Sequence, residues 1–553
     1  MDEAEKIAPA STPKELDGPL VRVLNDEEEG PAVVTVQRPD SGLKRELKAR
    51  HMAMISIGGV LGTGLFLYTG DALANGGPLG LLLGFAVMGS VCYSVMISLG
   101  EMVALIPLAG GPIALAERFV DPSWSWALGW LYWYTWAIFL PSELSAIAVL
   151  INLWNTSINN ALWISLFLLA AVTINLLGPR AYGESEFILA TIKIITITGL
   201  ILLGIILAAG GGPNKQATGF KYWRDPGPFV QYLGIPGALG RFLGFWAVLT
   251  QAAFAYIGSE IVAIAAGEAK NPRKSIPIAI RNVYIRIILF YFGGTFVIGL
   301  LVASNDERLA LNAGTALASP FVIAIENAGI KVLPSIINAA LLLSGLSGAG
   351  SELFTSSRAL HGLATIGSAP KVFARTSTRG VPVYAILFNA VIACLAYMSL
   401  GSTAGEAFGY FVNLGSAGGL LMWWGMCFTF VRFEAGLRAQ GVARSTLPYS
   451  NRLNKGAGAA KWALGWISIV LFFSGWSNFY TDSWSTGSFL TTYLPIIIFP
   501  CLYFGHKLVR KTRMISPGAM EFEVDERGIE VEEEAQGTRA WSKIWTRVKK
   551  SGV

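Results

Sequence analysis

The sequence predicts an all-α membrane protein with twelve membrane-spanning helices. Three observations carry this: an apolar composition, a series of long apolar segments, and a one-sided distribution of basic residues. Of 553 residues, 53% are hydrophobic and only 14% charged, against roughly 25% charged in an ordinary soluble domain. A soluble surface needs more charge than that. A soluble enzyme, a disordered chain and a nucleic-acid partner are therefore excluded. The 62 glycines and 17 tryptophans suit membrane helices, which tolerate Gly and place Trp at the bilayer interfaces.

The elements follow in order. Residues 1–50 are polar, with an acidic run from Asp26 to Glu29, and read as a disordered cytosolic tail. No short apolar stretch with a small-residue cleavage site is seen there, so no signal peptide is expected. A helical domain over 51–510 follows. A span needs about 20 apolar residues, and suitable segments lie near 52–70, 78–106, 124–153, 160–178, 187–210, 242–266, 278–303, 332–357, 382–400, 406–431, 462–481 and 488–506. The eighth is diluted by Gly345, Gly348 and Gly350.

Residues 511–553 form a C-terminal tail, acidic over 521–534. Near its end Trp541, Ile544, Trp545 and Val548 fall at i, i+3, i+4 and i+7, flanked by Lys543, Arg547, Lys549 and Lys550. That spacing predicts a short basic amphipathic helix over 540–550, lying on an anionic leaflet.

Lysines and arginines set the orientation. With an inner N-terminus, the inner segments hold Lys44, Arg45, Lys48, Arg50, Lys270, Arg273, Lys274, Arg358, Lys371, Arg432, Arg438, Arg444, Lys507 and Arg510, among others. The outer loops hold only Lys215, Lys221, Arg224, Arg241, Arg308 and Lys331. Both termini are expected in the cytosol. The net charge of +6 thus reports topology.

Catalytic and metal chemistry find little support. Cys92, Cys394, Cys427 and Cys501 sit singly in apolar stretches, and His51, His361 and His506 are isolated. No disulfide framework, zinc site or cofactor is expected. The glycine run from Gly58 to Gly64 lacks the Lys-Ser/Thr pair of a P-loop, which argues against ATP-driven pumping.

The first span contains Gly58-Gly59-Val60-Leu61-Gly62-Thr63-Gly64. Each glycine disfavours helix by about 1 kcal/mol relative to Ala. One reading is an unwound stretch whose free amides bind a carboxylate; the other is a small-residue packing face. The sixth span holds Phe254-Ala255-Tyr256-Ile257-Gly258-Ser259-Glu260, a glycine and a carboxylate deep in an apolar run. These two spans open the halves of a possible five-plus-five repeat, about 51–210 and 242–432, with two extra helices over 462–506. Interruptions at corresponding positions of two halves point to a transporter site.

Two further charges lie inside spans. Glu143 is in the third and Lys193 in the fifth. Either could form a structural ion pair. Alternatively Lys193, several residues from both ends of its span, could exchange protons once desolvated. The aromatic run Trp124, Trp126, Trp130, Tyr132, Trp133, Tyr134, Trp136 reads as an interfacial belt and packing surface, or as a stacking site.

These motifs together resemble the fungal amino-acid permeases of the amino acid–polyamine–organocation superfamily. They are Arg50-His51 before the glycine run, Gly100-Glu101-Met102, Phe254 to Glu260, Gly267 to Pro277, Ser356-Ser357-Arg358-Ala359-Leu360, and Ala369-Pro370-Lys371. The resemblance covers roughly 43–515 and implies a LeuT-like five-plus-five inverted repeat. It further implies that Gly62, Thr63 and Gly64 hold a substrate α-carboxylate. The carbonyls of Val60 and Ile257 would accept from its ammonium, and Phe254 would gate the site. Gly258 and Glu260 would lie at the sixth-helix break. Lys193, faced by Ser351, would stand where relatives hold a sodium ion, with Glu143 nearby in proton coupling.

Gly329 to Pro334, Ser351-Glu352-Leu353-Phe354 and Gly409 to Asn413 look most like the dicarboxylic permeases, which implies glutamate and aspartate as substrates. No arginine stands out at substrate depth, and Glu352 is expected near the cytosolic end, packing or gating. The implied activity is proton-coupled amino-acid import across the plasma membrane, with neutral amino acids, or sensing without transport, as alternatives. Ubiquitin-ligase adaptors acting on tail lysines are implied partners. The sequon at Asn155 lies in a short outer loop, too near the membrane to be used.

Overall fold

The computed structural model describes residues 47–106, 111–154, 157–265, 272–309, 319–400, 404–480 and 484–522, and no sheet occurs among them. The expected tail 1–46, the 540–550 helix, the acidic run and the Asn155 sequon lie outside the described residues.

Among the described residues, ten helices are long and apolar enough to cross a bilayer. An eleventh, Asn160–Leu176, has 17 residues and spans about 26 Å, close to the hydrocarbon thickness. The twelfth is the interrupted first span, Ala49–Gly58 followed by Thr63–Phe66. Its chain continues into Tyr68–Leu105, whose 38 residues would measure about 57 Å if straight, far more than a bilayer needs. Gly77 resolves this. Its φ of 73° breaks the helix ahead of Pro78, so the first span reaches residue 76 and the second begins at 78. A Cβ at Gly77 would lie 2.8 Å from the Pro228 carbonyl, so only glycine fits there.

The third span, Pro122–Ile151, starts on Asp121, whose carboxylate accepts from the Trp124 amide at 2.7 Å. The fifth, Pro179–Ala208, begins eight residues earlier than expected, directly after the turn at Gly178 (φ 105°). The sixth divides into Gly237–Tyr256 and Ile261–Ala265. The seventh runs Pro272–Arg286, a π-helical turn Ile287–Phe292, then Gly293–Leu301. The eighth is one rod, Leu333–Thr365. Two of the glycines that dilute it are contact points, whereas nothing lies within 4 Å of a Cβ at Gly350. A Cβ at Gly345 would come 2.6 Å from Ile147, and one at Gly348 2.7 Å from Glu143 Oε1. Close helix approach at small residues is how membrane bundles pack. Ninth to twelfth spans are Val383–Leu400, Glu406–Ala439, Arg452–Phe479 and Thr486–Arg510.

The third and sixth spans are enclosed by their neighbours, whereas the twelfth presents Leu508 and Val509, each over 75% exposed, outward. The start of the C-terminal tail differs from expectation. Residues 512–522 fold back on the core. The Ile515 amide donates to Val120 O at 2.8 Å, Gln440 Nε2 donates to Met520 O at 2.6 Å, and Phe522 stacks on Phe119. A short unpredicted helix, Pro112–Phe119, supplies part of that seat.

Candidate functional site

The two interruptions face each other. In the first span the helical ladder stops at Gly59, whose amide donates to Ile55 O at 3.1 Å, and resumes at Thr63. Buried carbonyls need donors, and here side chains supply them. Arg286 Nη1 donates to Ser56 O at 2.6 Å, and Lys193 Nζ to Gly58 O at 3.1 Å. The Tyr291 hydroxyl reaches Val60 O at 3.3 Å, and Ser344 Oγ donates to Leu61 O at 2.9 Å. The glycine run is thus part packing face and part unwound stretch. Gly58 is a packing position, where a Cβ would lie 2.3 Å from Ala190 Cβ, and Gly59 to Gly62 form the break.

In the sixth span Ile257 leaves the helix with ψ 139°, and Gly258 adopts φ 109°, which favours glycine. Glu260 closes this break. Its Oε2 accepts from the Gly258 amide at 3.2 Å and from Trp423 Nε1 at 2.9 Å. The carboxylate is fully buried and does not line the cavity. Glu260 lies at the sixth-helix break, as expected, and there it braces the bend. Tyr291 ties the two breaks together, also donating to Ala255 O at 2.7 Å.

Between the breaks lies a cavity of about 50 Å³. Val60, Gly62, Gly64, Phe254, Ile257 and Gly258 line it from the first and sixth spans. Trp136, Phe139 and Glu143 come from the third, and Gly348, Ser351 and Glu352 from the eighth. This volume holds a few water molecules and no amino acid, so the walls must part to admit one. Phe254 packs edge-on against Phe139 and Tyr68, with centroids 5.5 and 5.6 Å apart, and Tyr68 against Phe408. Gly64 sits hard against the sixth span, where a Cβ would be 2.9 Å from Ala255 Cα. Of Thr63 the backbone alone is described.

Lys193 lies mid-way along the fifth helix and is 1% exposed, so it cannot snorkel to an interface. Glu143, Glu186 and Glu352 all act on it electrostatically. Glu186 is buried and accepts from Ser347 Oγ at 2.5 Å. Ser351 accepts from the Tyr182 hydroxyl at 3.0 Å. Glu143 is 4% exposed, and its Oε1 lies 3.4 Å from where a Gly62 Cβ would stand.

Sequence reasoning missed three participants. Glu186 precedes Lys193 by seven residues, two turns along one helix face, but the expected span began at 187. Arg286 lies inside the expected seventh span and is fully buried. It holds Ser56 O and Ser259 Oγ, and stays out of the cavity lining. Glu352 was expected near the cytosolic end. Its helix continues thirteen residues further, to Thr365, or about 20 Å, which puts Glu352 at the cavity. The aromatic run of the third span splits by residue. Trp136 lines the cavity, whereas Trp126 stacks on His506 at 4.7 Å and Trp133 donates to Asn389 at 3.1 Å.

Residues 51–515 match the family model described as amino acid permease. The chain is 41% identical to the dicarboxylic amino acid permease of Saccharomyces cerevisiae, over 86% of this chain and 78% of that one. It is 39% identical to the proline-specific permease of Emericella nidulans, covering 85% and 86%. With the lysine-specific permease of S. cerevisiae it shares 35%, covering 95% and 85%. Among solved structures, a manganese transporter of Eremococcus coleocola superposes with a TM-score of 0.53 at 15% identity, covering 83% of this chain and 92% of that one. That likeness speaks to the fold.

Proposed function

The chain belongs to the amino acid permease family, and from this premise we propose that it imports acidic amino acids, glutamate and aspartate, together with protons. That it is a multi-pass amino-acid transporter and not an enzyme follows from the family itself. The proposal concerns substrate, coupling and sidedness. The observation that carries it is the single cavity shared by both helix breaks and bordered by Glu143, with Lys193 fixed to the first break at Gly58 O.

In this mechanism the substrate α-carboxylate takes the amides at Gly62 to Gly64, where the interrupted helix leaves donors free. The ammonium takes the carbonyls of Val60 and Ile257. Val60 O retains a second lone pair beside the Tyr291 contact. Phe254 closes over the substrate. Glu143, Lys193 and Ser351 form the proton-coupling group. Lys193 holds the Gly58 carbonyl, so a change in its charge alters the first break directly. One bundle then rocks against the scaffold to open the cavity inward.

We place the protein in the plasma membrane with both termini in the cytosol, in keeping with the basic inner segments. The repeats run about 51–210 and 242–432, and ubiquitin-ligase adaptors act on the tail lysines in this reading.

The cavity wall offers no cationic side chain among its described residues. That favours a second reading, a broad neutral amino-acid permease. Uptake of labelled glutamate in cells lacking their own permeases, against a panel of unlabelled amino acids and with an uncoupler, decides. Glutamate and aspartate should compete best, and the uncoupler should abolish accumulation. Competition by neutral amino acids alone would move the assignment to the second reading. Specific binding with no uptake would make the protein a sensor.

A further inference from the structure

Two carboxyl groups line the cavity, Glu143 from the third span and Glu352 from the eighth. Gly348, against which Glu143 packs, and Glu352 are four residues apart on one helix. That is about 6 Å along the helix axis, so both side chains reach the same cavity. Glu352 Oε2 is buried and accepts no hydrogen bond from the described residues.

Among the described residues, charged groups around Glu352 are few. The fifth span offers Lys193 and Glu186, and Lys193 is the ammonium that all three carboxylates share. On its own helix the Arg358 guanidinium lies 3.8 Å over the Phe354 ring. From the sixth span Glu260 is directed to Gly258 and Trp423, and from the seventh Arg286 to Ser56 and Ser259. Three ionised carboxylates against one ammonium would leave two negative charges in a poorly solvated site, which is costly. A substrate with a carboxylate side chain adds another and meets no cation on the wall. Its entry requires a proton.

We propose that Glu352 is the specificity-determining residue that supplies this proton. The inference rests on the acidic-substrate reading above. Glu352 takes a proton from the outer solution, forming an O–H bond that donates to the side-chain carboxylate of the substrate. When the cavity opens inward that O–H bond breaks, the proton passes to cytosolic water, and Glu352 is again an anion that expels the substrate. Recognition of the acidic side chain and uptake of one proton are then the same event.

The test is labelled-glutamate uptake at about pH 5 and about pH 7, with surface expression measured alongside, for wild type, Glu352→Gln and Glu352→Asp. One obligatory proton makes the glutamate KM rise by up to about tenfold per pH unit. Gln keeps the volume and a fixed donor, so its glutamate KM should lose about one tenfold step per pH unit while uptake persists at the higher pH. Asp should keep the slope. If Gln fails to reach the surface, Glu352→Asn carries the same expectation. Wild-type uptake of glutamate with an unchanged slope in the amide variants overturns the role of Glu352 alone. Wild-type uptake of glutamine or lysine with none of glutamate overturns the acidic-substrate reading, and this inference with it.

Discussion

The two helix interruptions occupy corresponding places and are held in different ways. The first is held from outside, its carbonyls bonded to side chains of the fifth, seventh and eighth spans, two of them cationic. The second carries its own brace, Glu260, two residues from the amide it accepts, with Trp423 steadying it. A break held by ionisable groups of the scaffold changes when their charge changes. A break whose amide is capped by its own carboxylate depends less on the charge of the scaffold, although Trp423, Arg286 and Tyr291 also reach it. Under the proposed mechanism a proton acts at the first break, and the second serves as the more rigid partner.

The largest expected effect is at the seam between them. Gly64→Val thrusts a branched side chain into Ala255 and Phe254 and should abolish labelled-substrate uptake, by 100-fold or more, about 3 kcal/mol, with the protein still at the surface. Normal uptake would show that the breaks do not close on the substrate.

Lys193→Ala removes the cation from the first break. Uptake should fall roughly tenfold, about 1.4 kcal/mol, and the pH profile of the remainder should move. An unchanged pH profile would dismiss Lys193 from coupling. Glu143→Gln should likewise reduce uptake by about tenfold, measured as initial rate, if its charge is used. Full activity would leave it a packing residue.

Glu260→Gln sharpens the contrast, because an amide oxygen can still accept from Gly258 and Trp423. Stability should drop by about 1–2 kcal/mol, the loss of a charged acceptor, read from thermal unfolding in detergent, and the pH profile of uptake should not move. A moved profile would make the second break a proton site too.

The smallest effect is remote from both breaks. In the loop after the seventh span Arg308 donates twice to Asp306, at 2.7 and 2.9 Å, and this hydrogen bonding holds the Asp306 carboxyl below its usual range. A carboxyl lowered in the folded state adds stability above its unfolded range and loses it as pH falls through the folded value. Arg308→Ala should cost under about 1 kcal/mol at neutral pH, and the difference from wild type should shrink on acidification. A larger loss, or one growing toward low pH, would point to a structural role for the loop.

The breaks were legible because clustered glycines and a carboxylate in an apolar run are costly to keep in a continuous membrane helix. Gly62, Gly64, Phe254, Ile257 and Gly258 duly meet in one cavity with Glu143 and Ser351. What went astray followed from helix ends. A hydropathy window stops where polar residues begin, yet the fifth helix begins at Pro179 and the eighth runs to Thr365. Glu186 and Glu352 thereby appeared to lie at or outside membrane ends. Residues 512–522, read as tail, pack on the core through main-chain bonds that no side-chain pattern announces.

Composition and spacing alone determined a helical membrane protein and its two weak points, because lipid forces every backbone group into a helix unless a glycine-rich stretch lines protein. Only the tertiary structure decided which carbonyls each scaffold side chain satisfies and which of Glu143, Glu186, Glu260 and Glu352 face the cavity. Those outcomes depend on helix rotation and on contacts between residues a hundred or more positions apart, which no local pattern encodes.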